Sequence, residues 1–242
     1  MTLPITKVPR TGLPARALLV GDQTRAASVA ERLTDGREVA RNREYHTYAG
    51  TWRDVPVVVS SHGVGGPGAL CLFQELRVAG VRAMLRLGTA GAFRSDIAEG
   101  DLVIAEGAVR DDGVTQQLVP AEYPAFSTPE AVLALAGAAR EHAAPAHRGI
   151  VWTRAAFSPG ALRLPTDEYI QSRVIAIEME LSTLLVDAAM HGVTAGGVLV
   201  IDGNAVDDHP DPTAYDPHRT VVADGVSRGI HVALDALVAL DV

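Results

Sequence analysis

Two arginines in this sequence stand where an anion would be held. Gly21-Asp22-x-x-Arg25 puts a glycine turn after the apolar run Ala17–Val20 and an Arg in the first turn of the expected helix. Free N–H groups at a helix start favour an anion, and a guanidinium adds a planar fork that matches two phosphate oxygens. Arg86 lies inside the otherwise apolar run Ala83-Met84-Leu85-Arg86-Leu87, directly before Gly88-Thr89-Ala90-Gly91. A charge in such a run is costly unless compensated, so Arg86 needs an anionic partner, either a bound anion or a buried Asp or Glu. Thr89 can add a hydroxyl donor to the same anion. Arg25 alone reads equally well as a solvated helix face; taken together, the two loops point to phosphate.

A third loop, Gly63-Val64-Gly65-Gly66-Pro67-Gly68, matches the G-x-G-x-x-G dinucleotide fingerprint. Pro67 removes one N–H that a pyrophosphate would use. The next strand ends in Arg86, where a ribose-binding acid is expected. An NADP site therefore stays open beside two other readings, a plain strand-to-helix turn and a flat backbone surface for a sugar or base.

Positioning these loops requires an alternation of strands and helices. Short apolar runs predict strands at Ala17–Val20, Val55–Ser60, Ala83–Leu87, Leu102–Ala105, Gly149–Thr153, Val174–Ile177 and Gly197–Ile201. Helices are expected at Gln23–Leu33, Pro67–Ala79, Pro129–His142, Leu181–His191 and about Pro217–Leu240. In two of them a proline opens the first turn, where its missing N–H costs nothing. The pattern implies an α/β fold: one domain over residues 1–242, with a mostly parallel twisted central sheet flanked by helices on both faces. Ligands bind such sheets beyond the carboxyl ends of the strands. The polar residues found there are the three loops above, Glu178-Met179-Glu180 and Asp202-Gly203-Asn204.

Composition removes several function classes. A net charge of −8 and a pI near 5.4 argue against a nucleic-acid partner, which needs a basic face. Cys71 is the sole cysteine, so neither an internal disulfide nor a cysteine metal cluster can form, and its apolar neighbours suggest a buried inert thiol. The opening residues lack an apolar leader and no segment reaches the length of a membrane span, which leads us to expect a cytoplasmic protein. Asp207-Asp208-His209-Pro210-Asp211-Pro212 has metal-ligand residue types without a metal-site spacing, and we read it as a solvated acidic loop with no metal. No G-x-S-x-G elbow of a serine hydrolase occurs.

Gly21-Asp22-x-x-Arg25, Asn42-Arg43-Glu44, His62 to Pro67, Arg86 to Gly91 and Ile177-Glu178-Met179-Glu180 together resemble the trimeric and hexameric nucleoside phosphorylases. These include the uridine phosphorylases and bacterial-type purine nucleoside phosphorylases. Val109-Arg110-Asp111-Asp112-Gly113 and Pro120 to Ala125 add to the likeness, which runs in order from about Leu13 to the last helix. The resemblance implies that Gly21, Arg25, Arg86 and Thr89 hold phosphate, with Arg43 reaching the phosphate of a neighbouring subunit. It implies that Met179 and Glu180 hold the ribose with Glu178 beside them, and that Phe157 stacks on the base. Phosphate is then co-substrate, no cofactor is needed, a dimer is the smallest active unit and a hexamer is the expected assembly. The residue types suit the chemistry: glycosidic cleavage builds positive charge on the sugar, which a phosphate dianion stabilises while waiting to attack.

The departing base needs a donor or a proton. Asp202, at the end of Gly197-Val198-Leu199-Val200-Ile201, falls where purine-specific members keep an Asp beside N7. A carboxyl buried at the end of an apolar strand should hold its proton more tightly than usual, although an Asp in a turn often only caps local backbone. Uridine phosphorylases read uracil with Gln-x-Arg after the stacking Phe; here Arg163 is present and the Gln is not. Asp202, Arg86 and Glu180 are thus the expected catalytic residues and inosine or guanosine the expected substrates, with uridine as the alternative. Thr2 stands where the family often has a His for the ribose 5′ end, which leaves methylthioadenosine open. A nucleosidase has no use for the three arginines, and a non-catalytic nucleoside-binding protein has none for Glu180.

Overall fold

The computed structural model describes residues 1–206, 216 and 219–242. The Asp207–Pro212 loop and Pro217, the expected start of the last helix, lie outside the described residues.

The apolar runs become strands, and the sheet they form is mixed and ten-stranded. Its centre is parallel: β1 (Arg16–Val20) pairs with β4 (Val55–Ser61) and with β5 (Ala83–Ala92), and β5 pairs with β10 (Thr194–Asn204). Eight of the ten residues in β5 are buried, as a strand covered on both faces requires, which is why it reads as a near-continuous apolar run. Beyond β10 the sheet curls. β6 (Leu102–Asp111) runs antiparallel to β10, β8 (Ala146–Arg154) and β9 (Ala176–Glu178) follow in parallel, and β9 returns antiparallel to β5. This closes β5, β10, β6, β8 and β9 into a ring that the order of apolar runs does not reveal. The two-residue β7 (Ala125–Phe126) pairs with β6.

At the other edge, β2 (Thr34–Asn42) and β3 (Tyr45–Trp52) extend the sheet as an antiparallel hairpin, and the apolar pattern does not predict them. The reason is physical. β2 is exposed along most of its length and carries Asp35, Arg37, Glu38 and Arg41, the charged composition that keeps an edge strand from pairing with other chains.

Helices α1 (Gln23–Ala30), α3 (Pro129–Glu141) and α6 (Thr220–Val238) cover one face, packing Ala26, Val29, Leu135, Leu234 and Leu237 against Leu18, Leu85 and Val200. Helices α2 (Gly66–Val78) and α5 (Leu181–Met190) cover the other, with Leu72, Phe73, Leu184 and Leu185 against Leu19, Met84 and Leu199. The short α4 (Thr166–Gln171) was not expected from the pattern, because only Thr166 of its six residues is buried and no helical stripe develops. Asp22 caps α1, its Oδ1 accepting the Arg25 N–H at 2.8 Å, so the first glycine turn is locked to the helix that carries Arg25. No helix among the described residues is long and apolar enough to cross a membrane.

Candidate active site

A cavity of about 630 Å³ opens where these strands end. Gly21 follows β1, Gly63 follows β4, Arg86 to Gly91 form the second half of β5, Glu178 ends β9 and Asp202 lies near the end of β10. Of the residues expected from sequence, Gly21, Arg25, Arg86, Thr89, Phe157, Glu178, Met179, Glu180 and Asp202 all line it.

One end of it is built round Arg86, which is only 3% exposed. Nη2 donates to Glu180 Oε2, and Nη1 lies 3.0 Å from Glu178 Oε2. That second contact lacks hydrogen-bond geometry, so Nη1 is a buried donor group with no directed acceptor. A buried guanidinium is expected to use its donors, and this one keeps some in reserve beside a cavity. The side chain folds back over its own strand: a Cβ at Gly88 would fall 2.2 Å from Nη1, so only glycine leaves the guanidinium room there.

Both carboxylates have further partners. Glu178 accepts from Thr153 Oγ1 and from the backbone N–H groups of Glu180 (2.8 Å) and Leu181 (2.9 Å), satisfying donors at the start of α5. Burial pushes its carboxyl above the usual range, Arg86 opposes that shift and Glu180 adds to it. Glu180 Oε1 accepts the N–H of Gly65 at 2.6 Å, and Gly65 has φ +93°, which favours glycine. The third glycine loop thus spends this N–H on Glu180.

His62 completes the arrangement. It is 1% exposed, with Nδ1 2.8 Å from the Gly63 carbonyl oxygen and Nε2 3.3 Å from Arg86 Nε. A carbonyl only accepts and an arginine only donates, so the ring is a neutral imidazole with its proton on Nδ1. Burial, reinforced by the charge of Arg86 and opposed by Glu180, lowers its pKa to about 4.

At the other end of the cavity, β10 is irregular. Its register with β5 shifts between Ile201 and Gly203, leaving Asp202 as the extra residue of a bulge. Bulges re-aim side chains next to sites, and Asp202 faces the cavity while remaining 3% exposed. Phe157 is half-exposed on the loop after β8, its carbonyl accepting from Arg154, whose guanidinium carbon lies 5.6 Å from the centre of the Trp152 ring.

Comparison with known proteins agrees with this geometry. The sequence model of the phosphorylase superfamily matches residues 15–239. A guanosine phosphorylase of Halorubrum lacusprofundi is 33% identical over 229 residues, 93% of each chain. The chain belongs to the nucleoside phosphorylase family. A uridine phosphorylase of Thermococcus kodakarensis is 36% identical over 78% of this chain and 73% of its own. In structure, purine nucleoside phosphorylase from Toxoplasma gondii, solved in complex with immucillin-H, superposes with a TM-score of 0.91 at 28% identity, covering 98% of this chain and 95% of that one.

Two residues singled out with the nucleoside phosphorylase likeness lie outside the cavity. Arg43 occupies the β2–β3 turn at φ 51°, where its carbonyl accepts from Gln23 Nε2 at 3.1 Å. Arg163 is two-thirds exposed and pairs with Asp167 at 2.8 Å and Glu168 at 3.3 Å. Sequence gives no role to several residues of the site, among them two in the wall and one behind it. Glu44 and Arg154 line the wall directly, and His62 lies behind Arg86. Arg154 ends β8, so the rule that sites gather at strand ends could have found it. His62 follows two serines at the end of β4, with no local signal that it meets an arginine one strand away.

Proposed function

We propose that this protein splits the N-glycosidic bond of purine ribonucleosides with inorganic phosphate, releasing free base and ribose 1-phosphate, with inosine and guanosine favoured over uridine. The observation that carries the proposal is a single cavity holding, at one end, a buried arginine with undirected donors and, at the other, a buried acid beside a half-exposed aromatic ring. The nearly full-length relative named guanosine phosphorylase supports the purine preference.

In this reading phosphate lies among the Gly21 turn, Arg25, Arg86 and Thr89. Arg86 Nη1 supplies the strongest donor, because a dry site with few competing waters strengthens each charge-assisted bond. Each Glu180 oxygen already accepts one N–H and keeps a lone pair for a ribose hydroxyl. Glu180 is therefore placed by Gly65 and Arg86 before substrate arrives, and Met179 packs on the sugar. As the bond to the base stretches, positive charge on the ribose is met by the phosphate beneath it. Asp202 donates to N7 of the leaving purine and Phe157 stacks on the ring, with Glu178 holding Arg86 and the start of α5 in place.

Phosphate is the co-substrate, and the residues named leave no step for a cofactor. We further propose one domain over residues 1–242 and a cytoplasmic location, which suits a chain with one cysteine. The active unit is a dimer within a hexamer, in which Arg43, exposed on its turn, serves a neighbour's phosphate. Uridine is the second reading, favoured by the 36% identity to the Thermococcus kodakarensis uridine phosphorylase.

The test is base release from inosine, guanosine, uridine and methylthioadenosine, each with and without phosphate. Phosphate-dependent release, fastest from inosine or guanosine, is the expected result. Release without phosphate would make the protein a nucleosidase. A preference for uridine would remove Asp202 from the N7 role, a preference for methylthioadenosine would place the specificity at the ribose 5′ end, and inertness towards all four would indicate a binding protein.

A further inference from the structure

His62 contributes no atom to the cavity wall, yet it sits where three of the site's elements converge. Its backbone N–H donates to Val20 at the end of β1 (2.9 Å), and the next N–H, of Gly63, donates to Gly21 (3.0 Å). The ring lies under the first glycine turn: a Cβ at Gly21 would stand 3.8 Å from His62 Cε1. Phe73 of α2 packs edge-on against the ring, with centroids 5.8 Å apart and planes at 75°, which fixes its plane. Held in this way, Nε2 meets Arg86 Nε at 3.3 Å.

We propose that His62 is a positioning residue for the phosphate site: its Nε2 lone pair holds Arg86 by Nε–H and so orients Nη1 towards the anion. The inference rests on the phosphorylase reading for the identity of that anion. The geometric argument is one of degrees of freedom. Glu178 and Glu180 both engage the Nη end of the guanidinium. Two carboxylates on one end can draw Nη1 into a directed bond and leave no donor for phosphate. A neutral acceptor on the opposite side fixes the plane of the fork without adding charge. A third carboxylate there would overcompensate Arg86, and a lysine or protonated histidine would repel it. The charged groups facing the ring are Arg86, Glu180 and Arg25; burial and the two cations keep the imidazole uncharged against the opposing effect of Glu180.

The experiment compares His62→Gln, His62→Asn and His62→Leu with Arg86→Lys. Glutamine can place an acceptor oxygen where Nε2 stands, whereas asparagine reaches only the Nδ1 position and leucine offers no acceptor. Phosphate KM, nucleoside KM and phosphate binding by calorimetry are measured for each folded variant. Loss of one hydrogen bond to a charged group predicts a rise of about tenfold or more in phosphate KM and Kd for the Asn and Leu variants. Nucleoside KM should stay within about threefold, and glutamine should recover most of the phosphate affinity.

If His62→Asn and His62→Leu keep wild-type phosphate affinity while Arg86→Lys loses it, the His62 proposal falls and the phosphate site stands. If Arg86→Lys also keeps wild-type affinity, phosphate uses the charge and not the oriented fork, and the His62 proposal falls; retained phosphate binding in Arg86→Ala would show that the phosphate site itself is misplaced. Equal losses towards phosphate and nucleoside, with no recovery by glutamine, would reduce His62 to a packing residue and overturn the proposal. Should the leucine variant fail to fold, the Gln–Asn pair alone decides the matter.

Discussion

The two ends of the cavity are built in different ways. At the anion end Arg86, Glu178 and Glu180 are buried and held: Arg86 between the two carboxylates and His62, Glu178 on the start of α5, and Glu180 on Gly65. At the base end Phe157 is half-exposed on a loop between β8 and α4, tied by its carbonyl to Arg154. Asp202 is the exception there, because a strand bulge carries it and the core buries it. The difference follows from what each end must do. Charge that develops during the reaction requires donors fixed in advance, whereas a base can be gripped by a surface loop whose sequence varies without disturbing the fold. The anion end should therefore tolerate almost no change, and the base end should change its preference before it loses activity.

Arg86→Ala is the severest test of that contrast. It removes the proposed phosphate donor and leaves Glu178 and Glu180 as an uncompensated buried pair. We expect phosphorolysis to fall about a thousandfold and stability to fall by about 3–5 kcal/mol. Arg86→Lys, which keeps the charge and gives up the fork, separates the two effects. Near wild-type turnover in the lysine variant would show that the anion end is less constrained than its hydrogen bonds suggest.

A pH dependence of stability comes next. His62 is neutral in the native state down to about pH 4, whereas an unfolded histidine takes up a proton near 6.5. Between these values the unfolded chain binds more protons than the native one, so stability drops as pH falls from about 6.5 to 4, by roughly 3 kcal/mol for this group, and levels off below. Carboxylates titrate in the same window, so the quantity to measure is the difference between wild type and His62→Gln in denaturant midpoint. The variant should show the flatter profile. Parallel profiles would mean that His62 takes up its proton at the same pH in the native and unfolded states.

Asp202→Asn probes the other end. If the carboxyl hands a proton to N7, inosine and guanosine cleavage should fall about a hundredfold, and uridine cleavage, which has no N7, should fall far less. Equal losses would make Asp202 a structural residue of the bulge.

Much of this site was legible in the sequence because buried strands leave a sharp edge where apolar residues stop. Gly21, Gly63, Arg86, Glu178 and Asp202 all sit at or just past such edges, and the structure gathers their loops round one cavity. Phe157 and Met179 carry no such mark; only the family resemblance singles them out. The partners of Arg86 were hidden for a different reason. Glu180 lies 94 residues and His62 24 residues away along the chain, and which of them meets the guanidinium depends on a strand order that apolar runs do not encode. The same limit hid the ring formed by β5, β10, β6, β8 and β9, while β2 escaped notice because its exposed surface gives no apolar signal.

The smallest effect belongs to Arg163, and it sharpens the comparison most directly. Like Arg86 it pairs with two carboxylates, Asp167 and Glu168. Unlike Arg86, its side chain is 65% exposed, and so are both partners to a similar degree. Water screens such a pair, so Arg163→Ala should change stability by no more than about 0.5 kcal/mol. Catalytic efficiency should change by less than about twofold for inosine, since an exposed pair outside the cavity has little differential interaction with the transition state. The decisive comparison is with uridine. If the loop after Phe157 folds over the base and brings Arg163 to its edge, the mutant will lose uridine cleavage selectively. The base end would then be assembled by substrate, whereas the anion end is assembled by the fold.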